Sequence, residues 1–465
     1  MDSPNGKQGE ETVEFTSVIG GYMILKVKAF DDTVYNPKSG KYTIEYVKHL
    51  SADEYRIYLK QNQAAFTKRI NWLNNRLHLI KNTGAGKGHR DIKELGVMIN
   101  RAAIVGIGEP THGTYEAFSF KFNLLRYLVE EKGFNAFVLE EDMASTALIN
   151  NYIVSNSNEP AVNVLKRNTK AVWHNKELVR VIEWMKDYNS GHSQKIKFWG
   201  VDMQSDSAAI NAITQFARKY DTTLYASVNR INEIREKRNR RRMQGTMAQK
   251  DTTDVVLVKK LLKDLSDVYT ARYSFYESIC SKDTVIWIKH AIELLRQFSL
   301  YSALNFSGKY RDSCMATNVK WIIENYPETK MLLSQHNFHI SNKPVSMGNQ
   351  LKTFYVQNYF TIAITTSGGT YSGFDQKERK WGSWPLLKPN TESYEYYFAG
   401  ARAPLYYLQL NNIPIDEPLA DWITVAKTFR EIGFARTTSQ FFTYDLIHDF
   451  DAVIFIKNSR AVQRN

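Results

Sequence analysis

The stretch IVGIGEPTHGTYEAFSFKFNLLRYL, residues 104–128, joins a short apolar segment to an amphipathic one through a turn that contains glycine and proline. The apolar segment is typical of a buried strand, and the spacing of apolar residues after Thr114 predicts a helix. Between them stand Glu109 and His112, a carboxylate and an imidazole three residues apart. Ligand sites in open parallel sheets lie beyond the carboxyl ends of the strands, so this turn is the first candidate for a functional site.

The same alternation of strand and helix continues along the chain and predicts the fold class. Strands are predicted at residues 102–107, 135–139, 195–201 and 329–335, helices at residues 114–132, 143–153 and 176–189, and further β-structure at residues 359–371 and 450–458. A long helical region covers residues 206–326. We therefore predict an α/β fold with a mostly parallel central sheet flanked by helices, and with the helical insertion as a cap over one end of the sheet.

The N-terminal part of the chain has a different pattern. Two β-rich segments within residues 13–47 flank the turn signal NPKSG, which predicts a hairpin, and apolar residues at helical spacing follow over residues 52–80. We expect residues 1–65 to form a β-rich extension that includes the start of a linker helix, and residues 66–465 to form the catalytic domain.

Composition and charge place the protein in a broad class. Of its 465 residues, 43% are hydrophobic and 23% are charged, which is ordinary for a globular protein, and the formal net charge is +13. The one dense basic run, REKRNRRR, extends from Arg235 to Arg242 and is expected to be a solvated helix end or loop. Contact with nucleic acid or another polyanion, or a localisation signal, is the alternative. The run has no interleaved aromatic residues, which argues against a groove that stacks bases.

Cysteine use and the N-terminus indicate the compartment. Cys280 and Cys314 lack the close spacing of a metal site, and reduced thiols are the simplest interpretation. The polar, acidic N-terminus is unlike a secretory signal, and the apolar run VIGGYMILKV is too short to span a bilayer. We expect a cytoplasmic protein without membrane contact.

The four predicted strands each deliver acidic or imidazole side chains to the same edge of the sheet. Taken singly, each of these residues has a structural explanation such as helix capping, and Glu116 suits the first turn of its helix. Their convergence favours a functional site. The residues are Glu109 and His112 after the first strand, Glu140, Glu141 and Asp142 after the second, Asp202 after the third, and His336 and His339 after the fourth.

The residue types at this edge narrow the chemistry. The G-x-S-x-G motif of serine hydrolases and the HExxH motif of zinc proteases are both missing from the sequence. His112, Glu140 and His336 could together bind zinc, so a divalent metal stays open. Without a metal, an imidazole that a carboxylate orients can activate water, and nearby cations or imidazoles can stabilise an oxyanion. Hydrolysis by an activated water fits these residues best.

Six motifs in this order resemble the erythromycin esterase family, whose members include enzymes that open macrolide lactones. The resemblance covers about residues 100–345 and rests on GEPTHGTYEAF, FVLEED, VWHNKELVRVIEWMKDYN, FWGVDM, YRDSCMATNVKWI and SQHNFHI. It implies that His112, beside Glu109, is the general base or a ligand of the water, and that Glu140 orients this water. It further implies that His336 and His339 form the paired histidines of the family and that Arg311 lines the pocket.

The resemblance also sets the expectations for substrate and partners. Lys121 stands where macrolide-opening relatives can carry an arginine, and we expect Lys121, Glu116 and Asp202 to contact substrate. The leading hypothesis is a hydrolase of a small carboxylic ester or lactone that requires no cofactor. Opening of a macrolide lactone, which gives antibiotic resistance, is one such activity. The alternatives are a metal-dependent hydrolase and an inactive esterase-like fold that binds or assembles with partners. In the last case, the N-terminal extension could mediate oligomerisation by strand addition.

Overall fold

The computed structural model describes residues 52–84, 89–243 and 252–465. The hairpin predicted within residues 13–47 lies outside these residues. The chain divides into two units, Met1–Asn62 and Gln63–Asn465, and the sheet and the candidate site belong to the second. The assignment of residues 1–65 as a separate extension, and its role in assembly, stay predictions.

A nine-stranded sheet forms the centre of the second unit within the described residues. Its main path runs in the order β1-β8-β11-β6-β2-β5-β3-β4, and β7 pairs with β6. Every neighbouring pair from β11 to β4 is parallel, whereas β1, β7 and β8 pair in antiparallel fashion. β9 and β10 form a separate antiparallel pair. The strands are β1 (His78–Leu79), β2 (Ile104–Ile107), β3 (Ala136–Asp142), β4 (Lys197–Asp202), β5 (Met331–Ser334), β6 (Tyr359–Asp375), β7 (Lys380–Pro385), β8 (Leu405–Gln409), β9 (Lys427–Arg430), β10 (Phe441–Tyr444) and β11 (Ala452–Ser459).

Helices cover both faces of the sheet, which confirms the predicted fold class. Because both faces are covered, the central strands carry apolar residues at consecutive positions, and all seven residues of β3 are buried. The helices are α1 (Ala52–Asn74), α2 (Lys93–Ile99), α3 (Tyr115–Lys132), α4 (Met143–Ile153), α5 (Ala161–Asn168), α6 (Lys176–Gly191), α7 (Ser207–Tyr220), α8 (Thr222–Met243), α9 (Thr252–Ala271), α10 (Tyr273–Ile279), α11 (Lys282–Ala303), α12 (Gly308–Asn325), α13 (Asn337–Ile340), α14 (Met347–Tyr355), α15 (Tyr394–Ala399) and α16 (Leu446–Asp449).

Two apolar cores lie on opposite faces of the sheet. One contains side chains of α2, α3, α5 and α6 together with Val105, Phe137 and Leu332 of the strands. The other contains side chains of α7 to α12 together with Val138 and Leu333, which alternate with the first set along the strands. The long helical insertion, which was predicted as a cap over one end of the sheet, thus supplies the layer on one face, and its last helix, α12, begins at the carboxyl edge of the sheet.

The basic run from Arg235 to Arg242 lies in α8, as a helical segment. Arg235 is half-buried, and its guanidinium pairs with Asp206 at 2.7 Å. Contact of the remaining run with a polyanion stays a prediction. None of the described helices is both long enough and apolar enough to cross a membrane.

The register of the parallel strands brings three chain segments to one edge. Ile107 of β2 pairs with Ser334 of β5, which in turn pairs with Leu139 of β3. The residues that follow these positions therefore emerge side by side. Gly108 permits this crowding, since a Cβ atom there would lie 2.0 Å from the side-chain oxygen of Asn337.

Candidate functional site

The turn after β2 places Glu109 between a lysine and a histidine. Glu109 is fully buried, and its Oε1 accepts a hydrogen bond from Nδ1 of His112 at 2.6 Å. Its Oε2 accepts one from Nζ of Lys121 at 2.7 Å. Burial alone would raise the pKa of Glu109, but the charges of Lys121 and His112 outweigh burial and lower it. Glu109 is therefore an anion that holds the proton of His112 on Nδ1 and leaves Nε2 as the proton-accepting nitrogen.

Lys121 forms its hydrogen bonds with buried groups of the protein. It lies in α3 and is 2% exposed. Besides Glu109, its ammonium group donates to the Ser334 hydroxyl at 3.1 Å and to the Gln335 carbonyl at 3.3 Å. Its position behind Glu109 makes it a positioning residue for His112.

Glu140 is the second buried carboxylate of the cluster. Its Oε1 accepts a hydrogen bond from Nη2 of Arg311 at 2.8 Å and lies 3.2 Å from Nε2 of His339, while its Oε2 accepts one from the backbone N–H of His336 at 2.9 Å. Burial opposes its ionisation, but the neighbouring imidazoles and the guanidinium hold the pKa of Glu140 well below its usual value. Glu140 is therefore anionic at neutral pH.

His339 is a cation in this setting. Its Nδ1 donates to Oδ1 of Asp312 at 2.9 Å, and its Nε2 faces Glu140. Burial acts against the charge, but these two carboxylates prevail and raise the pKa of His339 to about 10. In this state Nε2 of His339 carries one hydrogen, which faces Glu140, and Nη1 of Arg311 lies 3.1 Å from the same nitrogen.

His336 has the opposite character. It is 6% exposed, and its Nε2 donates to the Ile432 carbonyl at 3.1 Å. Burial is the main reason that the pKa of His336 is lowered, so the ring is neutral at physiological pH. The centroid of its ring lies 5.6 Å from that of His112, so a neutral imidazole lies beside the His112 base.

Asp202 fixes the guanidinium of Arg311. Asp202 is fully buried, and it accepts hydrogen bonds from Nε of Arg311 at 3.1 Å and from Nη2 at 2.8 Å. Lys170 approaches the same carboxylate at 3.9 Å. Burial would raise the pKa of Asp202, but Arg311 and Lys170 outweigh it and lower the pKa. The planar guanidinium is thus held by two carboxylates, Asp202 and Glu140.

The structure brings together eight of the nine residues to which the sequence analysis assigned a catalytic or substrate-binding role. Glu116 lies elsewhere, because its carboxylate accepts hydrogen bonds from the Ser459 hydroxyl and from the backbone and side chain of Arg460. Asp202 and Lys121, which were expected to contact substrate, have their charged groups engaged with Arg311 and Glu109 instead. The eight are Glu109, His112, Lys121, Glu140, Asp202, Arg311, His336 and His339.

Two contributors were not singled out for the site from the sequence. Asp312 is 1% exposed and orients His339, and its position directly after Arg311 in the YRDSC motif was the available signal. Trp173 is buried, and its ring meets that of His112 in a T-shaped contact at a centroid distance of 4.9 Å. Only the folded arrangement connects Trp173 with the turn after β2.

The donor set does not fit a metal ion. Among the residues that the structure describes, no three His, Cys, Asp or Glu side chains are arranged to hold one. The cause is visible at two of the expected ligands: Glu140 shares its oxygens among Arg311, His339 and the backbone of His336, and Nε2 of His336 donates to the Ile432 carbonyl. No step of the chemistry is therefore assigned to a metal.

Comparisons with known proteins agree with this fold. The chain is 24% identical over 358 residues to erythromycin esterase type II of Escherichia coli, with 70% of this chain and 85% of the relative covered. It is also 24% identical over 332 residues to the putative hydrolase YbfO of Bacillus subtilis (strain 168), with 65% of this chain and 72% of the relative covered.

Solved structures show the same architecture. A Bacillus cereus protein superposes with a TM-score of 0.74 at 22% identity, covering 86% of this chain and 99% of the other. A histidine-to-asparagine mutant of the erythromycin esterase EreC, in its open conformation, superposes with a TM-score of 0.60 at 19% identity, covering 80% of this chain and 95% of the other.

The family model of erythromycin esterases matches residues 129–459. Glu140, Asp202, Arg311, His336 and His339 lie within the match, whereas the turn with Glu109 and His112 precedes it. Since the matched residues make up well over half of the chain, the protein belongs to the erythromycin esterase family.

Proposed function

We propose that this family member hydrolyses a carboxylic ester or lactone by direct attack of a water molecule that His112 activates. The observation that carries the proposal is the bond between Nδ1 of His112 and the buried anion Glu109, within one cluster that also holds two further carboxylates and three cations. An imidazole oriented by a carboxylate is an effective proton acceptor near neutral pH.

Glu140 supports the water from the other side. Its Oε2 accepts one hydrogen bond, from the backbone of His336, and a carboxylate oxygen has capacity for a second. A water bound between this oxygen and Nε2 of His112 would have its lone pair free to attack. The neutral imidazole of His336 lies beside the ring of His112.

Arg311 and His339 stabilise the charge that develops on the substrate. Nη1 of Arg311 is the guanidinium nitrogen that donates to neither Asp202 nor Glu140, so an oxyanion placed against it would accept a hydrogen bond. The positive charge of His339, whose Nε2 lies 3.1 Å away, would add electrostatic stabilisation. Two carboxylates hold the guanidinium rigidly, so this arrangement exists before the substrate arrives.

The reaction balances without a further reactant. Nε2 of His112 removes a proton from water as the oxygen forms a bond to the carbonyl carbon, and the carbonyl π electrons move to the oxygen that faces Arg311. Collapse of this intermediate breaks the bond to the alkoxy oxygen, which takes the proton from His112. The products are a carboxylic acid and an alcohol, or one hydroxy acid from a lactone. A macrolide lactone is one member of this substrate class.

The test compares two substitutions with one control. His112→Ala and Glu140→Gln should each lower kcat on 4-nitrophenyl butyrate and δ-valerolactone by roughly a hundredfold or more, the range typical of general acid–base groups. His448→Ala is the control, since the His448 side chain in α16 is 58% exposed and pairs with Asp445. Wild-type turnover in both site variants, with folding verified by circular dichroism, would refute the proposal.

A further inference from the structure

The turn between α11 and α12 holds a strained and exposed phenylalanine. Phe306 has a φ of +58°, and its neighbour Asn305 has a φ of +52°. Asparagine tolerates the left-handed region, but for a bulky side chain this conformation is an outlier with a steric cost. The Phe306 side chain does not recover that cost by burial, because the residue is 57% exposed.

This turn adjoins the candidate site. Ser307 is the N-cap of α12, and its carbonyl accepts a hydrogen bond from the backbone of Arg311 at 3.0 Å. The ring of Phe306 stands edge-on to Tyr301, with centroids 5.2 Å apart. Tyr301 is 8% exposed, and burial is the main cause of its raised pKa, to which the charges of Arg311 and Asp202 contribute with opposite signs. Phe306 thus lies directly before the helix whose first turn carries Arg311.

In the unliganded protein, Phe306 carries two free-energy costs, one from its left-handed backbone and one from the exposure of its apolar ring. Strain of this kind gathers at ligand sites, where binding gives it a function, and a glycine at this position would avoid both costs. More than half of Phe306 is exposed despite its contact with Tyr301, so the ring is accessible to a ligand that reaches the first turn of α12.

We propose that Phe306 is a specificity-determining residue that packs against an apolar chain of the ester or lactone hydrolysed at His112. This inference rests on the proposed function and narrows it: the substrate carries an apolar chain of medium length on its acyl or alcohol side. Each methylene group of that chain that packs on the ring contributes to binding.

The test uses an acyl series, 4-nitrophenyl acetate, butyrate and octanoate, with wild type and three variants. For wild type, KM should fall as the acyl chain lengthens. Phe306→Gly should raise KM for the octanoate about tenfold, as expected when contact with most of a phenylalanine side chain is lost, and leave KM for the acetate unchanged. Phe306→Tyr, which retains the ring, should keep the wild-type series.

A matched variant separates strain from recognition. Asn305→Gly relaxes the neighbouring left-handed residue without removing the ring, so it should leave the KM series as in wild type. Phe306→Gly should also raise Tm by about 2 °C, because the strained residue becomes a glycine. If the Phe306 ring had only a structural role, Phe306→Gly would instead lower Tm and leave the KM series unchanged.

A binding arm keeps this inference distinct from the proposed reaction. Calorimetric titration with 2-butanone and 2-decanone, which have the carbonyl group but no leaving group, should show tighter binding of the longer ketone to wild type and a loss of that preference in Phe306→Gly. Absence of turnover in wild type would refute the proposed function, while the ketone titration would still decide the role of Phe306. An equal chain-length dependence in wild type and Phe306→Gly, or none in wild type, overturns the inference.

Discussion

Replacing Lys121 with methionine tests how Glu109 is kept ionised behind His112. The two buried groups lie 2.7 Å apart, and their attraction at an effective dielectric constant of about 20 is about 6 kcal/mol before desolvation is subtracted. Methionine has a similar length but no charge. Removing one partner of a buried ion pair leaves the other uncompensated, which typically costs about 3–5 kcal/mol. We expect Lys121→Met to lower the free energy of unfolding by about this amount.

The same substitution should alter the reaction through the pKa of Glu109. Lys121 is the strongest influence that opposes burial at this carboxyl, so its removal raises the pKa of Glu109. A protonated Glu109 no longer supports His112 as a base. The acidic limb of the kcat–pH profile should therefore move to higher pH, and kcat at pH 7 should fall by at least about tenfold.

A double variant separates stability from activity. Lys121→Met combined with Glu109→Gln removes both charges, so urea unfolding followed by circular dichroism should show recovery of most of the lost stability. The kcat on 4-nitrophenyl butyrate should stay low, because His112 still lacks an anionic partner. The reasoning is refuted if Lys121→Met costs less than about 1 kcal/mol, or if the double variant regains wild-type turnover.

Two further predictions concern the dependence of stability on pH. The pKa of His339 is raised from 6.5 to about 10 in the folded protein, so its stabilising effect is complete below pH 6.5 and is lost as the pH rises through about 10. His339→Gln should therefore destabilise most at pH 6 and least near pH 10 in urea titrations, and a pH-independent difference would contradict this. Burial, more than any neighbour, raises the pKa of Asp142 from 3.8 to about 7, so this carboxyl destabilises the fold increasingly as the pH rises through that window. Asp142→Asn keeps the cap to Ser145 and should raise the urea midpoint at pH 8 but not at pH 4; an equal gain at both pH values would count against the assignment.

The sequence predicted the central strands and the edge at which the site forms. Buried parallel strands read as short apolar runs, so β2, β3, β4 and β5 could be placed to within a few residues. The rule that sites lie at the carboxyl ends of such strands then identified Glu109, His112, Glu140, His336 and His339 as neighbours, and the structure brings them together.

Other features depend on contacts that no local pattern encodes. β2 lies between β6 and β5, and this order results from packing between distant segments. Lys121 was expected to contact substrate because it stands where macrolide-opening relatives can carry an arginine, whereas the folded chain buries its ammonium group on Glu109. The role of Asp312 required the approach of α12 to α13, which sets it against His339.

Direct attack by water is the central claim, and a single-turnover experiment tests it most directly. The wild-type protein, in excess over 4-nitrophenyl butyrate, is allowed to react in ¹⁸O-labelled water, and both the acid product and the intact protein are weighed by mass spectrometry at successive times. We predict that the butyrate gains one ¹⁸O atom while the protein mass never changes. A transient increase in protein mass equal to a butyryl group would contradict the account, because it would show that a side chain, and not water, attacks the ester.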